Sequence, residues 1–269
     1  MAMPYLNAKI NYTKNPDTNL FKMHTHNTYE IYCFISGNAK YFIEGTTYAL
    51  KPNDILIIKK SEAHSLLISS NSPYKRIVVG FNSDALLCED KETALNFLDT
   101  KPLGKNNSFP FKIYNSYNWI YYLEQMCNSD KFEEKRIYLT VFINELSKAY
   151  SKLSDNINSN DKSDNIDLVI QYINNNLCNY VDLENISKKF NYSKTHLNRR
   201  FNQIFGVTVS EYILTKKIIK SKEMLNNGTP PTQAYISCGF NDYCTFYRNY
   251  IKKFGVSPKA DYIKSKSWI

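Results

Sequence analysis

The chain has 269 residues, enough for two domains that each bury a core of their own. It carries 34 Lys+Arg against 25 Asp+Glu and holds no run of about twenty apolar residues, which excludes a membrane-spanning helix. The 6 cysteines are scattered without a C-x-x-C pair, and the opening "MAMPYLNAKINYTK" lacks the apolar stretch of an export signal, so a reducing cytoplasm is the expected compartment.

The positive charge is unevenly placed. Residues 166–269 hold 15 Lys+Arg and 7 Asp+Glu, a net of +8, whereas 1–165 hold 19 and 18, a net of +1. Segregation of this kind points to a polyanion, and so to nucleic acid, as the partner of the C-terminal part.

In chain order, residues 20–82 come as short β-branched and aromatic runs: "YEIYCFISG", "AKYFIEG", "TTYAL", "DILIIKK", "SLLIS" and "YKRIVVGF". Turn-forming stretches such as "SGN", "KPND" and "NSP" separate them, the pattern of an antiparallel sandwich or barrel. His24 and His26 lead into the first of these runs, Glu30 stands within it, and His64 precedes a later one. Residues 24, 26 and 30 have the same parity, so on an unbroken strand they share a face, with His64 able to arrive from a neighbouring strand. Imidazoles and a carboxylate on one face suit a divalent transition ion; a histidine on such a strand equally serves by hydrogen bonding a neighbour. Tyr29, Tyr32, Phe34, Tyr41, Phe42 and Tyr48 are expected mainly in the core, with a ligand cavity as the second reading.

The period changes near residue 115. "SYNWIYYLEQM" and "FEEKRIYLTVFINELSKAY" space apolar residues three and four apart, which predicts two amphipathic helices over 115–150. Their Trp119, Ile120, Leu123, Ile137, Leu139, Phe142, Ile143 and Leu146 face either the barrel or a second copy of the chain, as a homodimer. Residues 151–165, "SKLSDNINSNDKSDN", offer too little apolar surface to offset ordering and read as a linker. The expected division is therefore 1–150, the linker, and 166–269.

From residue 166 onward everything reads as helix, with a weak internal repeat. "LENISKKFNYSKTHLNRRFNQIFGVTVSEY" (183–212) and "PTQAYISCGFNDYCTFYRNYIKKFGVSPKADY" (231–262) each give a short helix, a tight turn, a basic helix and a closing Phe-Gly-Val. Ser193 and Asp242 are fit to cap the second helices. Gly239 suits the positive φ of its turn, a task left to Asn191 in the first copy. Leu197, Phe201, Ile204 and Phe205 make one apolar stripe, and Phe246, Tyr250 and Phe254 the other. Thr195, Asn198, Arg199 and Asn202, and Tyr243, Cys244, Thr245 and Arg248, are left for the outer faces. A helix-turn-helix of this composition places its second helix in a major groove, where Arg pairs with guanine and Asn with adenine. Residues 208–227 between the copies read as one connecting helix, setting the two readers in successive grooves roughly 34 Å apart.

The stretch "ISCGFNDYCTFYRNYIKKFGVSP" resembles the signature of the AraC/XylS family of bacterial transcription regulators. The resemblance implies an α+β multidomain chain: an N-terminal cupin-like β-barrel with two helices, then an all-α, homeodomain-like double helix-turn-helix domain from about Ile166. It also implies base-facing positions at Thr195, Asn198 and Arg199 in the first reader and at Tyr243, Cys244, Thr245 and Arg248 in the second. The chain departs from the pattern at Val209, where a proline is usual, and at Ile263, where an arginine is usual. His24, His26, Glu30 and Gly37 match the H-x-H-x3-E-x6-G spacing of the first cupin motif, and His64 stands at the second motif's histidine. That second motif is degraded, with Lys59, Lys60 and Ser61 in its Pro/Gly region and Ile68 for its asparagine. The expectation is a pocket for a small-molecule effector at His24, His26, Glu30 and His64. No bound metal, cofactor or catalysis is expected there; any ion would go to those same four residues. Promoter DNA, an effector, RNA polymerase and a second copy are the implied partners, with no membrane. The alternative is a metal-dependent cupin enzyme with an accessory basic domain.

Overall fold

The computed structural model describes residues 3–16, 23–68, 70–114, 116–154, 165–179 and 181–266. The chain divides into two compact units, Met1–Lys162 and Ser163–Ile269.

The first unit is built on strands β1 (Leu6–Thr13), β2 (Tyr29–Ser36), β3 (Ala39–Ile43), β4 (Thr46–Ala49), β5 (Ile55–Ile58), β6 (His64–Ile68), β7 (Tyr74–Phe81) and β8 (Ser108–Phe109). They form a five-stranded sheet, β1-β7-β2-β5-β8, and a three-stranded sheet, β4-β3-β6, with antiparallel neighbours throughout. The β3–β4 hairpin turns through Glu44 and Gly45 alone, both at positive φ, the geometry whose twist matches the flanking strands.

Strand β2 shows why the unit has two cores. Its odd residues Tyr29, Ile31 and Cys33 pack beneath the helices, while Tyr32 and Phe34 pack between the sheets. Burial on both faces explains a run of apolar residues with no polar alternation. Helices α1 (Lys91–Asp99), α2 (Phe111–Tyr114), α3 (Trp119–Asn128) and α4 (Phe132–Ser154) complete the unit. Trp119, Leu123, Leu139, Phe142, Ile143 and Leu146 are buried in the helix-side core. This face of α3 and α4 therefore packs on the barrel; Ile137 alone among those apolar residues is largely exposed.

Three expectations need correction. The sheet begins at Leu6 rather than near residue 20, because β1 pairs along the whole of β7. Helix α4 continues to Ser154, past the expected start of the linker at 151, and α5 begins at Asn165; the intervening 155–164 lie outside the described residues. The helix α1 was not foreseen at all.

The second unit holds α5 (Asn165–Asn175), α6 (Leu183–Phe190), α7 (Lys194–Phe205), α8 (Val209–Asn226), α9 (Pro231–Ser237), α10 (Tyr243–Phe254) and α11 (Pro258–Lys266). Among the described residues α6–α7 and α9–α10 are the two helix-turn-helix devices. Asn191 and Gly239 take the positive φ the turns need, at 54° and 69°. Ser193 accepts from the His196 N–H at 3.1 Å and Asp242 from the Thr245 N–H at 2.7 Å, satisfying donors that an α-helix start leaves open. Gly206 and Gly255, both left-handed, end α7 and α10.

Helix α8 serves both devices. Its first turns bring Tyr212 against Phe201 and Phe205 of α7. Its later turns bring Ile218 and Leu225 against Ala234, Phe246 and Tyr250 of the second device. A reciprocal capping box fixes its start: Thr208 N–H donates to Glu211 at 2.7 Å, and Glu211 N–H to the Thr208 hydroxyl at 3.3 Å. No helix among the described residues is long and apolar enough to cross a membrane.

Candidate functional sites

In the second unit, the caps and left-handed turns fix the azimuth of α7 and α10, so what each helix presents outward follows from the core it packs on. Leu197, Phe201 and Phe205 are buried on α7, and Phe246 and Tyr250 on α10. Thr195, Arg199 and Asn202 are exposed on α7; Cys244, Tyr247 and Arg248 are exposed on α10.

Three of the expected outward residues are only partly exposed. Asn198 is half-buried, and its side-chain oxygen accepts the Val209 N–H at 3.1 Å. Tyr243 is half-buried because its ring lies against Tyr235, Phe246 and Tyr247. Thr245, also half-buried, gives its backbone N–H to the Asp242 cap. Tyr247 was overlooked, although it lies three residues from Cys244 and so on the same helix face.

Beside these helices Lys217 of α8 donates to the Gly239 carbonyl at 2.8 Å, fastening the second turn to the connecting helix. Burial lowers the affinity of this amine for its proton, in keeping with its place in the packing.

In the first unit, a cavity of about 340 Å³ opens between the sheets, lined by Tyr5, Asn7, Lys9, His24, His26, Glu30, Tyr41 and Arg76 among others. Glu30 and Tyr32 reach it from the interior face of β2, and Arg76, Val78 and Gly80 from β7. The predicted four residues do come together, but by another route than an unbroken strand. Strand β2 starts only at Tyr29, and His24 is held by a separate bridge to His64, with N–H to carbonyl bonds of 2.9 and 3.0 Å. Pairing across the chain, rather than parity along it, brings the imidazoles together.

The ring centroids of His24 and His26 lie 4.2 and 4.9 Å from that of His64. His26 Nε2 is 3.1 Å from Glu30 Oε2, and the Tyr41 hydroxyl donates to Glu30 Oε1 at 3.2 Å. Burial lowers the His26 proton affinity, yet the adjoining Glu30 carboxylate outweighs it and the net shift is upward. Burial pushes Glu30 up, but the His26 hydrogen bond, with the neighbouring imidazoles, holds it below the ordinary carboxylate range. His64, fully buried, is driven down to about 3 chiefly by desolvation, so this ring is neutral at physiological pH. The donor set that could hold an ion is thus His24, His26 and His64, with Glu30 beside them.

A second buried polar cluster escaped the sequence reading. Glu62 and Lys101, both fully buried, form an ion pair of 2.6 Å. Glu62 also accepts from the N–H groups of Lys59 and Gly104 at 2.9 Å and from the Asn107 amide at 2.8 Å. Lys59, noted above for spoiling a motif, thus anchors this cluster; its ammonium also donates to the Lys101 carbonyl at 2.7 Å.

Comparison with known proteins bears on both units. Residues 11–92 match the model of an AraC-like ligand-binding domain, and 186–261 that of a helix-turn-helix domain. The chain is similar to the lactose operon transcription activator of Staphylococcus xylosus, at 21% identity over 82% of this chain and 78% of that protein. It is also similar to the HTH-type transcriptional regulator YdiP of Escherichia coli, at 23% identity over 89% and 80%. A match to the HTH-type regulator YbfI of Bacillus subtilis, at 29% identity, covers 37% of this chain and only 36% of that protein. With an AraC-like ligand-binding domain ahead of a doubled helix-turn-helix, and regulators as relatives along most of its length, the chain belongs to the AraC family of transcription regulators.

Proposed function

We propose that this protein is a cytoplasmic regulator, acting as an activator, that reads a specific duplex sequence with α7 and α10 and senses a small polar effector in the cavity between its sheets. The observation that carries the DNA reading is the pair of capped, left-handed-turn devices, each exposing an arginine, Arg199 and Arg248, at the same place on its second helix. Thr195 and Arg199 of the first reader, with Cys244 and Arg248 of the second, are the groups we assign to base edges. Asn198 supports α7 through the Val209 N–H, and the Tyr243 ring packs on Tyr235 and Phe246; Thr245 stays with the outward groups of α10. The cavity volume sits at the low end for ligand sites, and its histidine, arginine, lysine and tyrosine lining favours a small polar molecule.

The effector acts through differential affinity for two arrangements of the chain, shifting the population that engages promoter DNA and RNA polymerase. A homodimer would supply a second pair of readers. No reaction is assigned to the cavity, since the regulatory relatives and the basic reading domain account for the chain without one. The experiment is recovery of genomic fragments bound by the full-length protein, followed by Arg199→Ala and Arg248→Ala on the strongest site. Each variant is expected to lose about 1–3 kcal/mol and to relax preference at one base position. Unchanged affinity and selectivity in both would refute the assignment of the reading helices.

A further inference from the structure

The charges in the cavity wall do not balance. Strands β1 and β7 pair so that Asn7 stands opposite Gly80, Lys9 opposite Val78 and Asn11 opposite Arg76. All six residues line the cavity, so Lys9 and Arg76 are diagonal neighbours on one sheet face, rooted about 7–8 Å apart. Among the described lining residues Glu30 is the sole acid, and its oxygens are already engaged by His26 and by the Tyr41 hydroxyl. Lys9 pairs with no carboxylate among the described residues. The Tyr74 ring, with its centroid 5.1 Å from Arg76 Cζ, holds that guanidinium in place without supplying a negative charge. Two cations less one carboxylate leave a surplus of one, and the imidazoles add positive charge or none. The wall is net positive whatever the histidines do.

We propose that the effector is a small organic acid, bound as its carboxylate between Lys9 and Arg76; this rests on the reading of the cavity as the effector site. The fork of an arginine matches the two oxygens of a carboxylate, and a lysine adds a point charge beside it. Asn7 and Asn11 flank Lys9 on the same strand face and bring amide donors to the acid head. The body of the acid falls to Tyr32, Tyr41, Leu66 and Val78, with the Tyr5 ring as a side wall. That ring lies over Gly80, 3.5 Å from where a side chain would begin. Asn82 fixes it there: its side-chain oxygen accepts the Tyr5 N–H at 2.9 Å, and its own N–H donates to the Tyr5 carbonyl at 3.0 Å. One carboxylate offsets the surplus charge. A neutral polyol would satisfy the hydrogen-bonding groups and leave that charge in place, and a doubly charged phosphate would set its excess against Glu30.

The test titrates full-length protein with butyrate, hexanoate and benzoate, each beside its neutral amide, and follows heat of binding and melting temperature. Saturable binding of an acid, one per chain, is expected, with its amide roughly tenfold weaker or worse and with affinity falling as salt rises. Lys9→Met, and Arg76→Lys, which keeps the charge but loses the fork, should each weaken the acid roughly tenfold, as loss of a hydrogen bond to a charged group does. Without acid, Lys9→Met should melt no lower than the wild type, because it removes one of two like charges; a lysine with a merely structural role would give a lower melting temperature. Amides that bind as tightly as the acids would overturn the anion and leave the cavity a ligand site. Binding of neither would overturn the cavity reading as well. Acid affinity unchanged in both variants would place the acid elsewhere on this basic chain and overturn the site. None of these results touches the DNA-binding experiment.

Discussion

The Asn198 oxygen accepts from the Val209 N–H, a donor that exists because position 209 is not proline. Val209 is the first residue of α8, where proline is well tolerated because that N–H has no partner within the helix. Reading adenine takes both ends of an asparagine amide, and here one end is spent on the start of α8. Asn198→Ala should therefore lower stability by about 1 kcal/mol, as lost helix caps do, and leave base preference unchanged. Val209→Pro removes the donor, releases the amide and should introduce a preference for adenine at one position. Both outcomes are read by thermal melting and by selection on randomised duplexes. A changed preference in Asn198→Ala alone would return that residue to the base-reading set. From sequence, the spacing placed Asn198 outward; the hydrogen bond that turns it inward depends on a neighbour 11 residues away, which helical periodicity does not report.

At the scale of single elements, the strands β2 to β7 were legible because turn residues punctuate each of them and their apolar runs are short. Strand β1 carried a signal that went unread, since Leu6, Ala8, Ile10 and Tyr12 alternate with polar residues. As an edge strand it buries only Ala8, which makes the alternation easy to dismiss. Spacing suggested His24, His26 and Glu30 on one strand with His64 arriving from another; in the structure β2 starts only at Tyr29, and a bridge from His24 to His64 gathers the rings. The Glu62–Lys101 pair was invisible, because its members are 39 residues apart and each looks like ordinary surface charge. Lys101→Met strands a buried carboxylate and should cost about 3–5 kcal/mol. A joint Glu62→Leu, Lys101→Met replacement should cost less than the two single changes summed, and denaturant unfolding of the four proteins checks this. Simple additivity would mean the pair is not coupled.

For the whole molecule, charge and architecture converge. The net +8 of residues 166–269 is carried by the unit that holds both readers, while residues 1–165, which include the cavity, are nearly neutral. A phosphate-binding surface of this kind makes affinity fall steeply with salt, whatever the sequence. The full chain should protect an asymmetric site of nearly two helical turns, about 20 base pairs, per protomer. Protection of a single half that length by nuclease digestion would mean that only one reader engages.

Because α8 lends its early turns to one hydrophobic cluster and its later turns to the other, loss of either cluster removes packing from the helix that the other rests on. The expected consequence is mechanical coupling of the two DNA-gripping halves: a lesion buried in the first should loosen the second, and a duplex seated on either one should steady both.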